Sequence, residues 1–486
     1  GGLDYSPDTK NMLKSLGVND KYLPAMIKPG EALGPLCLIK RALYYRFSQR
    51  NSIFDSTDNV AFAWYAVHGN DVGQRIVNNK ECDKVKKYIE PTNGARDTTY
   101  LCDDPLKCTL EDARNIFNKC IDVDNDLLKN VWSDLSNKLG VKLNLDIINP
   151  DKSLLMFRSN YGILKGDADN IGKLSTGEIP VEKNYYNLLT KELPNVNRTM
   201  ECKYNTIYNI MNSLGGFIVS FTYLMTLSMS LITTSLKDIR TTNYKYYSTP
   251  VSSLIFSAGD DVLALVPVEL ALSIIGDMRR NYWGDKNGFH KIGNYYMPTP
   301  AVNGFGKSFS VRFVNIMDNM KNEIKATIRE LEETSKRSIW ELGSDKFNKD
   351  SLTISESRTN VKAVFPLSLG TLSDVAEMVS VLNKLFIARL GHVISSNLPE
   401  DSARYMPIIN ELIYNNKHDM LYDIWTMLIR RNIMVLNYVK DDIVKEFSLS
   451  SMKIDSNIRL KFDERSSEAH PLYELINAYK ILRGYP

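Results

Sequence analysis

At 486 residues, with 43% hydrophobic and 24% charged side chains, the chain is too long for one core and has the composition of roughly two to four folded domains, which excludes disordered and fibrous classes. The 60 Lys and Arg against 57 Asp and Glu leave a net charge of +3, so no global field draws it to nucleic acid and any such binding must come from local patches. It opens Gly-Gly with no basic-then-apolar leader, which reads as a fragment or processed product of an intracellular, cytoplasmic protein.

Residues 1–150 alternate short helical patterns with polar loops and read as a mainly helical module. In LEDARNIFNKC, residues Ala113, Ile116, Phe117 and Cys120 keep helical spacing. Asp122, Asp124 and Asp126 imitate the start of a calcium loop, but Leu127 stands where that loop turns on Gly, so a capped acidic helix start is the better reading. The cysteines Cys37, Cys82, Cys102, Cys108, Cys120 and Cys202 form no C-x-x-C pair, and a four-thiolate zinc site is not written. Most read as free core thiols. Cys102 and Cys108 bracket a short acidic loop and could pair.

A second domain, 151–345, begins at SLLMFRSNYGILKGD, which has the apolar content of a strand pair or one bent strand and ends on Asp167 and Asp169 either side of Ala168. From Tyr204 to Leu236 there is no charged residue, but Asn205, Asn209 and Asn212 paint a polar stripe on a helix, which suits a helix lying on a sheet and argues against a membrane span. In SSLIFSAGDDVLALVP, two apolar runs flank Ala258, Gly259, Asp260 and Asp261, a hairpin with acids at its tip. The helix PVELALSIIGDMRRNYWG and the strand SFSVRFV follow. The order is β-α-β-β-α-β, predicting an α+β protein with a ferredoxin-like domain in which the first strand and the hairpin are neighbours.

Aspartates gathered this way repel one another unless a cation sits among them, and an oxygen-only donor set favours magnesium or manganese. Asp167, Asp169, Asp260 and Asp261 are the candidate ligands. Two metals on such a sheet suit attack of a hydroxyl on an α-phosphate, which is nucleotidyl transfer. The turn Ala168, Asp169, Asn170, Ile171 can offer N–H groups to phosphates, Gly259 permits close backbone approach, and Lys173 or Lys336 can neutralise charge. Alone, D-x-D is a solvated strand end and G-D-D a hairpin turn. The weight rests on finding both, in this order.

The stretch MRRNYWGDKNGFHKIGNYY mixes Arg279, Arg280, Lys286 and Lys291 with Tyr282, Trp283, Phe289 and Tyr295, a combination used for RNA contact or a neighbouring subunit, and equally found in a loop packed on its own domain. After the charged helix MKNEIKATIRELEETSKR, the last domain, 346–486, opens with the strand NVKAVFPLSLG and continues from Thr371 as a helical bundle, with Thr371 and Asp374 as a capping box. His418-Asp419 reads as a helix start. GDADNIGKL and AVNGFGKS both miss the phosphate-loop spacing, so no P-loop ATPase is indicated.

KGDADNIGKLSTG and SAGDDVLALVP resemble the first palm strand and the GGDD hairpin of the large palm-domain subunit of type III CRISPR RNA-targeting complexes, Cmr subtype. KPGEALGPLCLIKR, Lys28 to Arg41, resembles the segment before that family's second palm, and IRELEETSKR its closing helix. The resemblance implies a polymerase- or cyclase-like palm that, on target RNA, joins ATP into cyclic oligoadenylate for antiviral defence. It implies Asp167 and Asp260 as main metal ligands, Asp169 and Asp261 as close support, and Lys336 near the triphosphate. It also implies guide CRISPR RNA, target RNA and other Cmr-type subunits as partners. Ala258 replaces the hairpin's first Gly, and Gly34 replaces the Cys that would pair with Cys37, so no zinc is expected. The family's upstream nuclease region and first palm are not visible, which fits a fragment. Two other readings stay open: a catalytically silent end-cap of the complex, and a stand-alone cyclic nucleotide synthase.

Overall fold

A computed structural model describes residues 6–15, 57–63, 75–89, 96–141, 149–169, 253–258, 261–283, 289–292, 295–298, 306–342, 345–359, 361–367, 377–415, 417–434, 440–448, 458–461 and 471–485. The chain divides into two compact units: Gly1–Val123 with Leu155–Ser159 and Ser235–Ser253, and Asp124–Leu154 with Asn160–Thr234 and Leu254–Pro486.

The first unit contains α1 (Pro7–Ser15), α2 (Thr57–Ala61), α3 (Asp83–Ile89) and α4 (Leu110–Lys119). Thr109 and Asp112 close a capping box at the start of α4, which satisfies two orphan donors there. The predicted spacing holds: α4 buries Ala113 and Phe117, and Phe117 meets Phe62 at 5.6 Å and Phe157 at 5.5 Å between ring centroids. Arg96 lies buried over the Phe62 ring, donating to the carbonyls of Tyr88 and Ile89. Cys102 and Cys108 are joined. Cys82 and Cys120 are also joined, with 5.5 Å between their Cα atoms, which corrects the expectation of free thiols there. The same face of α4 that buries Phe117 delivers Cys120 to the core that Cys82 enters just before α3.

The second unit is built on a six-stranded sheet. Its strands are β1 (Asn160–Ala168), β2 (Ser253–Ala258), β3 (Asp261–Pro267), β6 (Lys307–Asn315), β9 (Ser351–Glu356) and β10 (Lys362–Pro366), in the order β10-β9-β6-β1-β3-β2. β1 runs antiparallel to both β3 and β6, while β9 is parallel to β6. A hairpin, β4 (Phe289–Ile292) with β5 (Tyr295–Pro298), follows α6 (Ala271–Trp283) in the stretch singled out for its aromatic and basic mixture. A small sheet joins β7 (Ile339–Leu342), β8 (Asp345–Asn348) and β11 (Ile458–Lys461).

Paired residues share a sheet face, so register sorts the side chains. Gly162, Leu164 and Gly166 lie with Phe313, Val311 and Phe309 on one face, and with Leu352 and Ile354 beyond them. Phe313 packs there on Tyr485, just past α12 (Pro471–Leu482). The opposite face is mixed: beyond Tyr161 and Ile163 it carries Lys165 and Asp167, beside Ser308, Ser310 and Arg312, with Thr353 and Ser355 next. α7 (Met320–Glu333) covers that face, where Arg312 reaches Glu323 at 2.7 Å and Glu330 at 2.8 Å. Ser355 donates to Glu330, and Ser335 donates to the Phe309 carbonyl at 2.7 Å.

Helices α5 (Asn125–Lys138), α8 (Glu377–Leu390), α9 (Leu398–Tyr414), α10 (His418–Asn432), α11 (Lys440–Glu446) and α12 complete the unit. Asp124 caps α5 by accepting from Leu127 N at 2.7 Å, and α10 begins at His418, as read from the sequence. Two readings need correction. Ser153–Leu155 lies in a 3-10 turn, because Asp151 accepts from the Ser153 amide at 2.9 Å and bends the chain before β1 begins. β11 interrupts the region read as wholly helical beyond Thr371. The Asn205, Asn209 and Asn212 stripe, the Thr371–Asp374 box and the Lys28–Arg41 segment lie outside the described residues. Among the described residues no helix is long and apolar enough to cross a membrane.

Candidate functional site

The sequence KGDAD closes β1, and its alternation decides what each residue can do. Gly166 faces the apolar side, where a Cβ would meet the Phe309 ring at 2.6 Å and Val262 Cγ1 at 2.9 Å. The neighbours Lys165 and Asp167 therefore point to the opposite side. β3 lies alongside, with Gly166 paired to Val262, so one step on Asp167 of β1 and Asp261 of β3 stand at the same end of the sheet.

Each of these carboxylates meets an ammonium group. Lys165 Nζ lies on Asp261 Oδ1, and Lys336 Nζ lies on Asp167 Oδ2. Lys336 follows α7 in a short 3-10 turn and also bonds Glu332 at 3.0 Å. Burial alone would lower the Lys336 ammonium, but Asp167 and Glu332 hold it above its ordinary value. The arrangement alternates acid and base along one sheet end, with lysine ammonium groups beside the acids.

Asp169 differs. Its exposure is 0%, and both carboxylate oxygens accept from Ser308 Oγ at 2.9 Å, while Oδ2 also accepts from the Asp350 amide at 2.9 Å. Burial, with the charge of Asp350 adding to it, pushes its carboxyl up to about 7. Asp350 is in turn gripped by Arg279 of α6 through two bonds of 2.7 Å.

The structure thus brings together Asp167, Asp261 and Lys336, with Ala168 beside them at the end of β1. Ala258 ends β2, the neighbour of β3. Asp260, Gly259, Asn170, Ile171 and Lys173 lie outside the described residues, and among the described residues no three His, Cys, Asp or Glu side chains gather as a metal cluster. Lys165, Ser308 and Asp350 escaped sequence reasoning, and Arg279, read there as a candidate RNA or subunit contact, is instead buried on Asp350. Lys165 carried a signal, since it stands two residues before Asp167 and must share its face. The pairing of Arg279 with Asp350 carried none, being made only by the fold.

The architecture is a mixed α+β sheet with paired acids at one strand end. No protein-family profile matches the chain. Over 178 residues, 32% of this chain, it is 27% identical to the CRISPR system CMR subunit Cmr2 of Saccharolobus solfataricus, a match covering 17% of that protein. Chains in two cryo-EM structures of type III-B Cmr-beta share its fold at 16% identity. In the apo state the TM-score is 0.59, and in the complex bound to cognate target RNA it is 0.56. Both superpositions take in 99% of this chain, which spans 55% and 54% of those chains, about half their length. The chain is therefore similar to the Cmr2 subunit of a CRISPR Cmr system and, in fold, to chains of type III-B Cmr-beta.

Proposed function

We propose that the chain is the palm-bearing part of the large subunit of a cytoplasmic Cmr-type ribonucleoprotein, and that on target RNA it joins ATP into cyclic oligoadenylate by metal-dependent nucleotidyl transfer. The observation that carries this reading is the pairing of β1 with β3, which sets Asp167 beside Asp261, the first residue of β3. The order β6-β1-β3-β2, with α6 between β3 and β6, supports a ferredoxin-like palm. Partnership with guide RNA, target RNA and other Cmr-type subunits is inferred from the proteins it resembles.

The acids present suit a hard divalent cation. They are oxygen donors only, and two of them are paired with lysine ammonium groups that a divalent ion would have to displace or join. Held by Asp167, Asp260 and Asp261, magnesium or manganese supplies charge stabilisation for attack of a ribose hydroxyl on an α-phosphate and for the departing pyrophosphate. Lys336, placed on Asp167, is positioned to transfer its charge to the triphosphate. In this reading the backbone N–H groups of Asn170 and Ile171, with Lys173, would serve the phosphates and Gly259 would allow close approach of the nucleotide, roles assigned from sequence alone. Adenine as the base rests on the resemblance.

The test incubates the assembled complex, guide RNA and matching target with radiolabelled ATP and magnesium or manganese, comparing wild type with an Asp260→Ala, Asp261→Ala double variant. Target-dependent oligoadenylate that disappears in the variant supports the synthase. A complex that binds target but yields no product makes the chain a structural end-cap. That second reading is favoured by the lysines already seated on Asp167 and Asp261 and by Ala258 in place of glycine.

A further inference from the structure

We propose that Asp169, Asp350 and Arg279 form a buried clamp that fixes the end of β1, and with it Asp167, against β6 and the turn into β9. Asp169 is then a positioning residue of the nucleotidyl-transfer site and not one of its metal ligands. The inference rests on the functional reading above and deepens it.

The division of labour between the two aspartates follows from where their oxygens point. Side chains of Asp167 and Asp261 keep 22% and 38% of their surface, each with one oxygen on a lysine ammonium, so an ion can reach both from solvent. Asp169 keeps none: its two oxygens share the single Ser308 hydroxyl proton, and Oδ2 also accepts from the Asp350 amide. Its own amide donates to the Gly306 carbonyl at 2.9 Å, so backbone and side chain both bind the segment that opens β6. Ser308 is also the residue paired with Asp167 across β1 and β6. One serine thus sits opposite the proposed ligand and holds the acid two positions along.

The other half of the clamp is the turn into β9. Lys349 and Asp350 have φ of 67° and 45°, the left-handed region that side chains other than glycine disfavour. The conformation persists because Asp350 is held from three directions. Arg279, 2% exposed, grips its carboxylate with Nε and Nη2, the Lys307 amide donates to Oδ1 at 3.3 Å, and its own amide is taken by Asp169. Gly306 leaves the necessary room, since a Cβ there would lie 2.6 Å from both Asp350 Cβ and Oδ2. Four segments, from β1, β6, α6 and the turn before β9, meet on two carboxylates. Site carboxylates act only when held to within about half an ångström, and the clamp supplies that constraint for Asp167.

The test uses the full chain in its assembled complex with target RNA. Bound Mn2+ is counted by electron paramagnetic resonance, amide hydrogen exchange is followed at Asp169 and Asp350, and kcat and KM for ATP are measured for wild type, Asp167→Asn, Asp169→Asn and Ser308→Ala. The clamp predicts that Asp169→Asn keeps the wild-type number of bound ions with an altered line shape. It also predicts faster exchange at Asp350, and a kcat at least tenfold lower with KM within twofold. Asp167→Asn loses bound ion. Ser308→Ala, which leaves the acid in place, shifts every readout in the same direction by less and keeps the comparison usable if Asp169→Asn fails to fold. Loss of Mn2+ in Asp169→Asn equal to that in Asp167→Asn overturns the assignment, as does unchanged exchange at Asp350 in both Asp169→Asn and Ser308→Ala. A wild type that binds no Mn2+ sinks the functional reading itself, and the positioning role with it.

Discussion

Lys336 sets its ammonium on the Asp167 carboxylate, joining the turn after α7 to the end of β1. On the proposed synthase reading, a lysine so placed has two partners during turnover, the acid and an incoming triphosphate. Lys336→Met is expected to raise the KM for ATP by about ten- to a hundredfold, the loss of one charge-assisted hydrogen bond worth roughly 1.5–3 kcal/mol. Initial rates of oligoadenylate formation against ATP concentration check this, and an unchanged KM would remove Lys336 from the nucleotide site.

Gly166 is required by packing. A methyl added there presses on the Phe309 ring and Val262, both fully buried. Gly166→Ala should destabilise the second unit by about 1–3 kcal/mol, the usual cost of overfilling a core, read as a lower urea midpoint with unchanged slope.

Glu474 of α12 gives the unit a pH dependence. It is 8% exposed, accepts from the Val364 amide at 2.6 Å, and burial pushes its carboxyl up to about 7. The folded chain then binds a proton that the unfolded chain has released. Stability from this group is present in full below about pH 4.5, falls as pH rises, and is lost above about pH 7, a span of at most about 3 kcal/mol. Glu474→Gln keeps an acceptor for Val364 and should reduce the slope in denaturation series between pH 5 and 8, leaving the share of Asp169, which is also raised to about 7.

The Cys82–Cys120 bridge closes a loop of 38 residues in sequence separation. Chain-entropy reasoning assigns such a loop roughly 4 kcal/mol. Replacing both cysteines with Ser should lower the unfolding midpoint of the first unit, and a reductant should do the same to wild type. Coincident midpoints for oxidised and reduced protein would refute the bridge's contribution.

Much of the sheet was legible because β1, β3, β6 and β10 announce themselves as apolar runs, and the chain order of acidic strand, acidic hairpin, helix and strand fixed which of them are neighbours. β7, β8 and β9 were missed. Ser351, Thr353 and Ser355 alternate with Leu352 and Ile354, but the polar residues face a helix rather than water, so the pattern carried no mark of burial. The D-x-D spacing by itself does not rank its two acids, and only the resemblance put Asp167 first with Asp169 in support. The fold supplies a physical reason, because Asp169 acquires its partners Ser308 and Asp350 from positions 139 and 181 residues away. The Cys82–Cys120 pair escaped for the same reason: spacing in sequence says nothing about which helix ends meet.

The hydroxyl-lined seam between the sheet and α7 has a mechanical implication. An apolar helix can slide on an apolar sheet with little change in energy, since one methyl contact replaces another. Here Glu330 is tied to Arg312 and Ser355, and Ser335 to the Phe309 carbonyl. A shift of even part of a turn breaks these bonds together and strands buried polar groups, at about 1–3 kcal/mol each. α7 is therefore indexed to the strands beneath it like a key in its wards, and Lys336 at its far end can adjust its own side chain but cannot drift with the helix.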